Sequence, residues 1–125
     1  MSGSSDDLLN FVGATFPSVW ALELLLVLKS ERRMWQRTEL VNSLRASDLV
    51  VSKALDALIA AGLASIDSAG AEYAPVNEEV DRCIDRVEQL YRTKPNKVRR
   101  AIITASASSV TAFADAFRLR KDGDD

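Results

Sequence analysis

The run Ser18 to Ser30, SVWALELLLVLKS, constrains the fold more than any other feature of the chain. Wound as a helix, it is apolar nearly all round, and a helix of that character has to be buried on more than one side. It predicts either the central core helix or a helix shared with a subunit interface. Pro17 suits its first turn, where a missing N–H costs nothing. The apolar stretch from Val19 to Leu28 is interrupted by Glu23 and falls well short of the roughly 20 residues that span a bilayer. The start, MSGSSDDLLN, lacks the positive region of a secretory signal. The expectation is a cytoplasmic protein with no membrane association, and 125 residues suffice for one domain with a real core.

Around this helix the apolar spacing predicts further elements. Residues 1–15 read as a flexible N-terminal segment, in which Leu8, Leu9, Phe11 and Val12 make a short apolar turn bounded by Gly13 and Pro17. After Glu31-Arg32-Arg33 comes a second helix from about Thr38, its cap, to Leu44. Arg45-Ala46 is a tight connection. Ser47 or Asp48 then caps a third helix with Val51, Leu55, Leu58 and Ile59 on one face, and Gly62 ends it in a left-handed turn. Short alternating segments around Ser68-Ala69-Gly70-Ala71 predict a hairpin closed by Pro75. Asn77 caps the next helix, with Glu78, Glu79 and Asp81 in its first turn and Val80, Ile84 or Cys83, Val87 and Leu90 or Tyr91 inward. Pro95 breaks it, and another helix starts at Asn96 with Val98, Ile102 and Ala105 inward. A last helix carries Val110, Phe113, Ala114 and Phe117.

The order is helix, helix, short turn, helix, Gly-Leu, hairpin, helix. Its most informative stretch is Val51-Ser52-Lys53-Ala54-Leu55-Asp56-Ala57-Leu58-Ile59-Ala60-Ala61-Gly62-Leu63. This stretch resembles the recognition helix and exit of MarR/ArsR-like winged-helix regulators, in which Val-Ser-Arg/Lys precedes a Leu and then Gly-Leu. The resemblance covers residues 16–75. It implies a mainly α fold, a winged helix-turn-helix with a small β-hairpin wing, whose third helix enters the major groove of double-stranded DNA. Residues 76–121 would form a C-terminal helical extension that packs on it or makes a homodimer, and 122–125 a tail. The likeness of this extension is architectural only, with no functional residue matched.

The chemistry available is narrow. There is no histidine and one cysteine, so histidine-based catalysis, Cys-rich zinc sites and internal disulfides are unavailable. No enzyme activity, cofactor or metal is expected. A formal charge of −2 gives no overall field toward nucleic acid, so the distribution of charge has to decide.

From Lys29 to Lys53 there are six cations (Lys29, Arg32, Arg33, Arg37, Arg45, Lys53) against three anions (Glu31, Glu39, Asp48), a net +3. Arg32, Arg33, Arg37, Arg45, Ser52 and Lys53 are the candidate DNA contacts. The outer face of the third helix nevertheless offers no Arg, Asn or Gln for bidentate base contact, and the wing from Asp67 to Glu72 carries two acids and no cation. The alternative is a protein-protein interaction module, for instance docking on transcription machinery, with Met34, Trp35, Leu49 and Val50 as its docking face. Trp35 either covers the edge of the core or anchors a partner; Trp20 belongs to the core. A second basic patch, Arg92, Lys94, Lys97, Arg99 and Arg100, either holds an acidic ligand or offsets the acid-rich stretch from Asp56 to Glu88, with eight acids and two bases. Cys83 reads as packing rather than a redox sensor. Asp81 and Asp85 read as surface electrostatics rather than an acid/base pair.

Overall fold

A computed structural model describes residues 5–105. Among them six helices and one hairpin follow in the order α1 (Ser5–Thr15), α2 (Val19–Ser30), α3 (Arg37–Leu44), α4 (Asp48–Ala60), β1 (Ala64–Asp67), β2 (Gly70–Tyr73), α5 (Glu78–Thr93) and α6, from residue 95 to the last described residue. The fold is mainly helical with a small two-stranded antiparallel sheet, an arrangement compatible with a winged-helix-like topology. None of the described helices is by itself long and apolar enough to cross a membrane; α1 and α2 meet at a bend of 99°.

The all-round apolar run becomes α2, and it sits at the centre. Ser18 caps it, its Oγ accepting from the Ala21 N–H. Ala21, Leu22, Leu24, Leu25 and Leu28 are fully buried against α3, α4 and β2. Trp20 departs from expectation: it lies one residue before the first buried position and is 42% exposed. The N-terminal segment also departs. In place of a flexible stretch with a short apolar turn, residues 5–15 form helix α1, because Val12 and Phe16 find the core and Leu8, Leu9 and Phe11 pack against it.

α4 presents Val51, Ala54, Leu55 and Leu58 inward. Its end is a Schellman motif: the Gly62 N–H donates to the Ile59 carbonyl (3.1 Å) and the Leu63 N–H to the Leu58 carbonyl (2.9 Å), with Gly62 at φ 75°. Leu58 and Leu63, both buried, supply the hydrophobic contact that accompanies such caps. The cap of α3 is Gln36 rather than Thr38, two residues earlier, the Gln36 N–H donating to the Glu39 carboxylate (2.8 Å).

In the hairpin Asp67 pairs with Gly70, so the turn is Ser68-Ala69 alone, tightened by the Ala69 N–H donating to the Asp67 carboxylate (2.7 Å). A bridge that sequence spacing does not announce completes the layer. Trp35, between α2 and α3, pairs antiparallel with Ala71, the two exchanging backbone hydrogen bonds of 2.7 and 2.8 Å. Gly70, at φ 142°, permits this approach. Asn77 caps α5 as expected, with Ile84 and Val87 buried, and Val98 and Ile102 of α6 complete the core. The expected last helix, with Val110, Phe113, Ala114 and Phe117, and the tail lie outside the described residues.

Candidate nucleic-acid interface

The exposed face of α4 begins at its cap. Ser47 Oγ accepts from the Val50 N–H at 3.1 Å, and Asp48 and Leu49 are exposed in the first turn of α4, at the positive end of the helix dipole. Arg45, just before it, adopts the left-handed conformation (φ 54°, ψ 41°) that closes α3, and its side chain is exposed. Lys53 is exposed one turn into α4. Neither Arg45 nor Lys53 has a carboxylate partner among the described residues. Arg37, from the first turn of α3, donates to Ser52 Oγ and stands 3.9 Å from the Asp48 carboxylate. The structure therefore brings Arg37, Ser52 and Asp48 together, while Lys53, the next residue of α4, and Arg45, just before the helix, are exposed without being tied to that group.

Arg32 and Arg33 are occupied elsewhere. Arg33 forms ion pairs with Glu31 (2.7 Å) and Glu39 (3.2 Å), and its guanidinium stacks 3.8 Å from the centre of the Trp35 ring. The hydrogen bonds from Arg33, joined by the Gln36 N–H, hold the Glu39 carboxyl below its ordinary value. Arg32 lies 3.5 Å from Asp81 and over the Tyr73 ring at 4.6 Å. Tyr73 donates its hydroxyl to the same Asp81 (2.6 Å), so Arg32, Tyr73 and Asp81 tie the base of the hairpin to the start of α5. Burial and the bond to Asp81 push the Tyr73 hydroxyl far above its usual range. Both arginines would have to leave carboxylates to reach a phosphate.

The alternative docking face is also rearranged. Trp35 is 8% exposed, its indole N–H donating to the Glu31 carbonyl (3.2 Å), so it covers the core's edge and is no surface anchor. Met34 and Val50 are half-buried. Leu49 remains, 64% exposed in the first turn of α4, and Ile66 on the hairpin is 49% exposed. Ile66 was not among the sequence candidates. Strict alternation would have shared a face between Ala64 and Ile66, but β1 buries only Ala64 and leaves the rest of the strand in solvent. Asp67 and Glu72 keep the hairpin acidic.

The second basic patch divides rather than acting as a unit. Arg92 pairs with Glu88 (3.1 Å), and Arg99 lies over Tyr91 at 5.3 Å, whose hydroxyl donates to Glu23. Lys94 caps α5 and is exposed, while Lys97 and Arg100 face a groove beside α1. Asp85 is bound by Lys29 (2.7 Å), so Asp81 and Asp85 serve separate ties between elements. Burial raises the pKa of the Cys83 thiol; Arg86 opposes this and Glu79 adds to it. A raised pKa is the reverse of what a reactive thiolate needs. Comparison of the chain with protein-family models, with curated proteins and with solved structures returns no match.

Proposed function

We propose that residues 16–75 are a winged helix-turn-helix, in which β1 and β2 form the wing and the Trp35 bridge ties that wing to the helical core. In this reading the protein is a non-enzymatic transcriptional regulator, and α4 enters the major groove of double-stranded DNA. One observation carries the DNA reading. Arg45 and Lys53 bracket the exposed start of α4 without carboxylate partners, and Arg37 lies between α3 and α4 with only a distant one, Asp48 at 3.9 Å. The remaining arginines of the region are compensated, which sets the expected strength. Two free cations give a logarithmic salt slope of about −2, not the roughly −5 of six phosphate contacts, with a non-specific Kd of order 10⁻⁴–10⁻⁶ M.

Fluorescence anisotropy on random duplex DNA tests this. Binding is expected at about 50 mM salt, weakening with added salt along the shallow slope. Arg45→Gly is a clean probe, because the left-handed backbone there favours glycine and the fold is retained. Combined with Lys53→Ala it should abolish the slope. Absence of any binding at about 50 mM salt refutes the reading. A second reading, docking of a protein partner, is favoured by the exposure of Leu49 and Ile66. It predicts that Leu49→Asp eliminates partner capture, while DNA shows no binding at any salt concentration.

A further inference from the structure

The outward face of α4 is Leu49, Ser52, Lys53 and Asp56, the i, i+3, i+4 and i+7 positions opposite the buried Val51, Ala54, Leu55 and Leu58. Its polar members carry little base selectivity. Ser52 Oγ accepts from the Arg37 guanidinium, and Asp56 lies two turns into the helix, beyond the N-terminal residues that meet base edges. Lys53 is a point charge, which phosphate at any sequence satisfies. Leu49 differs. It sits in the first turn and is 64% exposed, so it presents apolar surface to water and adds nothing to the core. Arg45 lies four residues before it and Lys53 four residues after, the two cations of this region that find no carboxylate among the described residues.

In the major groove the apolar group that a base pair presents is the C5-methyl of thymine. We propose that Leu49 is the specificity-determining residue of α4 and that it reads thymine methyls in the major groove of double-stranded DNA. This inference rests on the DNA reading above and adds to it the base that is read. The flanking cations hold phosphates, which positions α4 without favouring a sequence. The leucine then buries against methyl groups that only A·T pairs carry. Selectivity is accordingly modest. A contact the size of one buried methylene changes affinity by about fourfold, against about 5- to 150-fold for a good bidentate base contact. The target is thymine-rich duplex DNA rather than a sharply defined operator.

Fluorescence anisotropy on the full chain at about 50 mM salt tests the proposal with two pairs of duplexes. One A·T sequence is made with thymine or with uracil, and one G·C sequence with cytosine or with 5-methylcytosine. The uracil duplex lacks only the methyl and should bind about fourfold more weakly per contacted thymine. The methylated G·C duplex carries the same group on the same ring carbon and should gain by a similar factor. Both ratios should hold as salt is raised while every affinity falls, because the contact is apolar. Leu49→Ala, a change at an exposed position that leaves the core intact, should bring both ratios close to one. Lys53→Ala should weaken binding to every duplex and leave the ratios as they were. Equal affinity for the thymine and uracil duplexes overturns the inference and leaves the DNA reading standing. Parental ratios in Leu49→Ala do the same. Absence of binding to all of the duplexes refutes the DNA reading and this inference with it.

Discussion

Gly70→Ala isolates the contact that joins the hairpin to the helical layer. At Gly70 φ is 142°, and an added Cβ would lie 2.9 Å from the carbonyl carbon of Trp35 and closer still to its oxygen. Backbone cannot yield there as a flexible side chain does. Alanine at this φ costs about 1–3 kcal/mol whatever the space around it, and the Trp35 carbonyl must retreat from the new Cβ as well. Retreat breaks the paired hydrogen bonds between Trp35 and Ala71, each with a net worth of about 0.5–1.5 kcal/mol. The combined loss is about 2–6 kcal/mol, against a total stability of about 5–15 kcal/mol for a domain of this kind. Urea unfolding followed by tryptophan fluorescence and far-ultraviolet circular dichroism measures it. With an m-value of about 1–3 kcal/mol/M, the midpoint should fall by at least about 0.7 M. Hydrogen exchange should localise the damage, with the Trp35 and Ala71 amides losing protection before those of α2. Ala69→Gly, one residue earlier in the turn, is the control and should move the midpoint little. A Gly70→Ala protein within about 0.5 kcal/mol of the parent, with Ala71 still protected, would show that the bridge contributes nothing and that the steric reasoning is wrong.

Three further measurements test other parts of the structure. Lys29, with 13% of its side chain exposed, spans Asp85 at 2.7 Å and Glu88 at 2.9 Å and clamps α2 to α5. Lys29→Ala should cost about 1–3 kcal/mol in denaturant unfolding, and adding Glu88→Ala should cost less than the sum of the single changes; strict additivity would remove the clamp from the account. Burial lowers the pKa of Lys29, but the hydrogen bonds to Asp85 and Glu88 outweigh it and leave the value raised; burial foremost, then hydrogen bonds to carboxylates, raise Tyr73 and Tyr91 as well. Groups with raised folded pKa values stabilise fully below their unfolded values, about 10 to 10.4, and lose that contribution as pH climbs through the folded ones. Melting temperatures should therefore fall steeply above about pH 10, and a flat profile there contradicts the assignment. Cys83, with its thiol pushed up by burial, should react with iodoacetamide at mildly alkaline pH more slowly than a free thiol in solution, and equal rates would refute its shielding.

The helices were legible because their information is local. Val51, Leu55 and Leu58 repeat at the helical period, Gly62 supplies the left-handed residue that ends the helix, and Asn77 and Ser47 cap where a short polar side chain meets an apolar stripe. The Trp35 bridge was not legible. It is a single residue whose burial depends on Ala71 in a hairpin far along the chain, and nothing at Met34-Trp35-Gln36 encodes that pairing. Helix α1 failed for a related reason: Leu8, Leu9, Phe11 and Val12 are too few for a stripe, and their order comes from the core they pack on.

The same distinction governs the candidate site. A count along the sequence gives residues 29–53 a net charge of +3 and invites the picture of a basic surface. That count omits partners beyond the segment: Lys29 is bound by Asp85 and Glu88, and Arg32 by Asp81, none of which lies within it. Within it, Arg33 is already held between Glu31 and Glu39. Compensation across elements reduces an apparent patch to Arg45 and Lys53, with Arg37 partly committed to Ser52 and Asp48. The salt slope then measures how the pairs behave as well as whether DNA binds. A slope near −2 means that the arginine–carboxylate pairs persist on DNA, whereas one of about −4.5, that of five phosphate contacts, requires Arg32, Arg33 and Arg37 to exchange carboxylates for phosphates. That exchange would release Asp81 from Arg32 and Glu39 from Arg33, loosening the base of the hairpin and the start of α3. A steep slope should therefore be accompanied by faster hydrogen exchange at Tyr73 and Gln36 in the bound protein, and a shallow one by none.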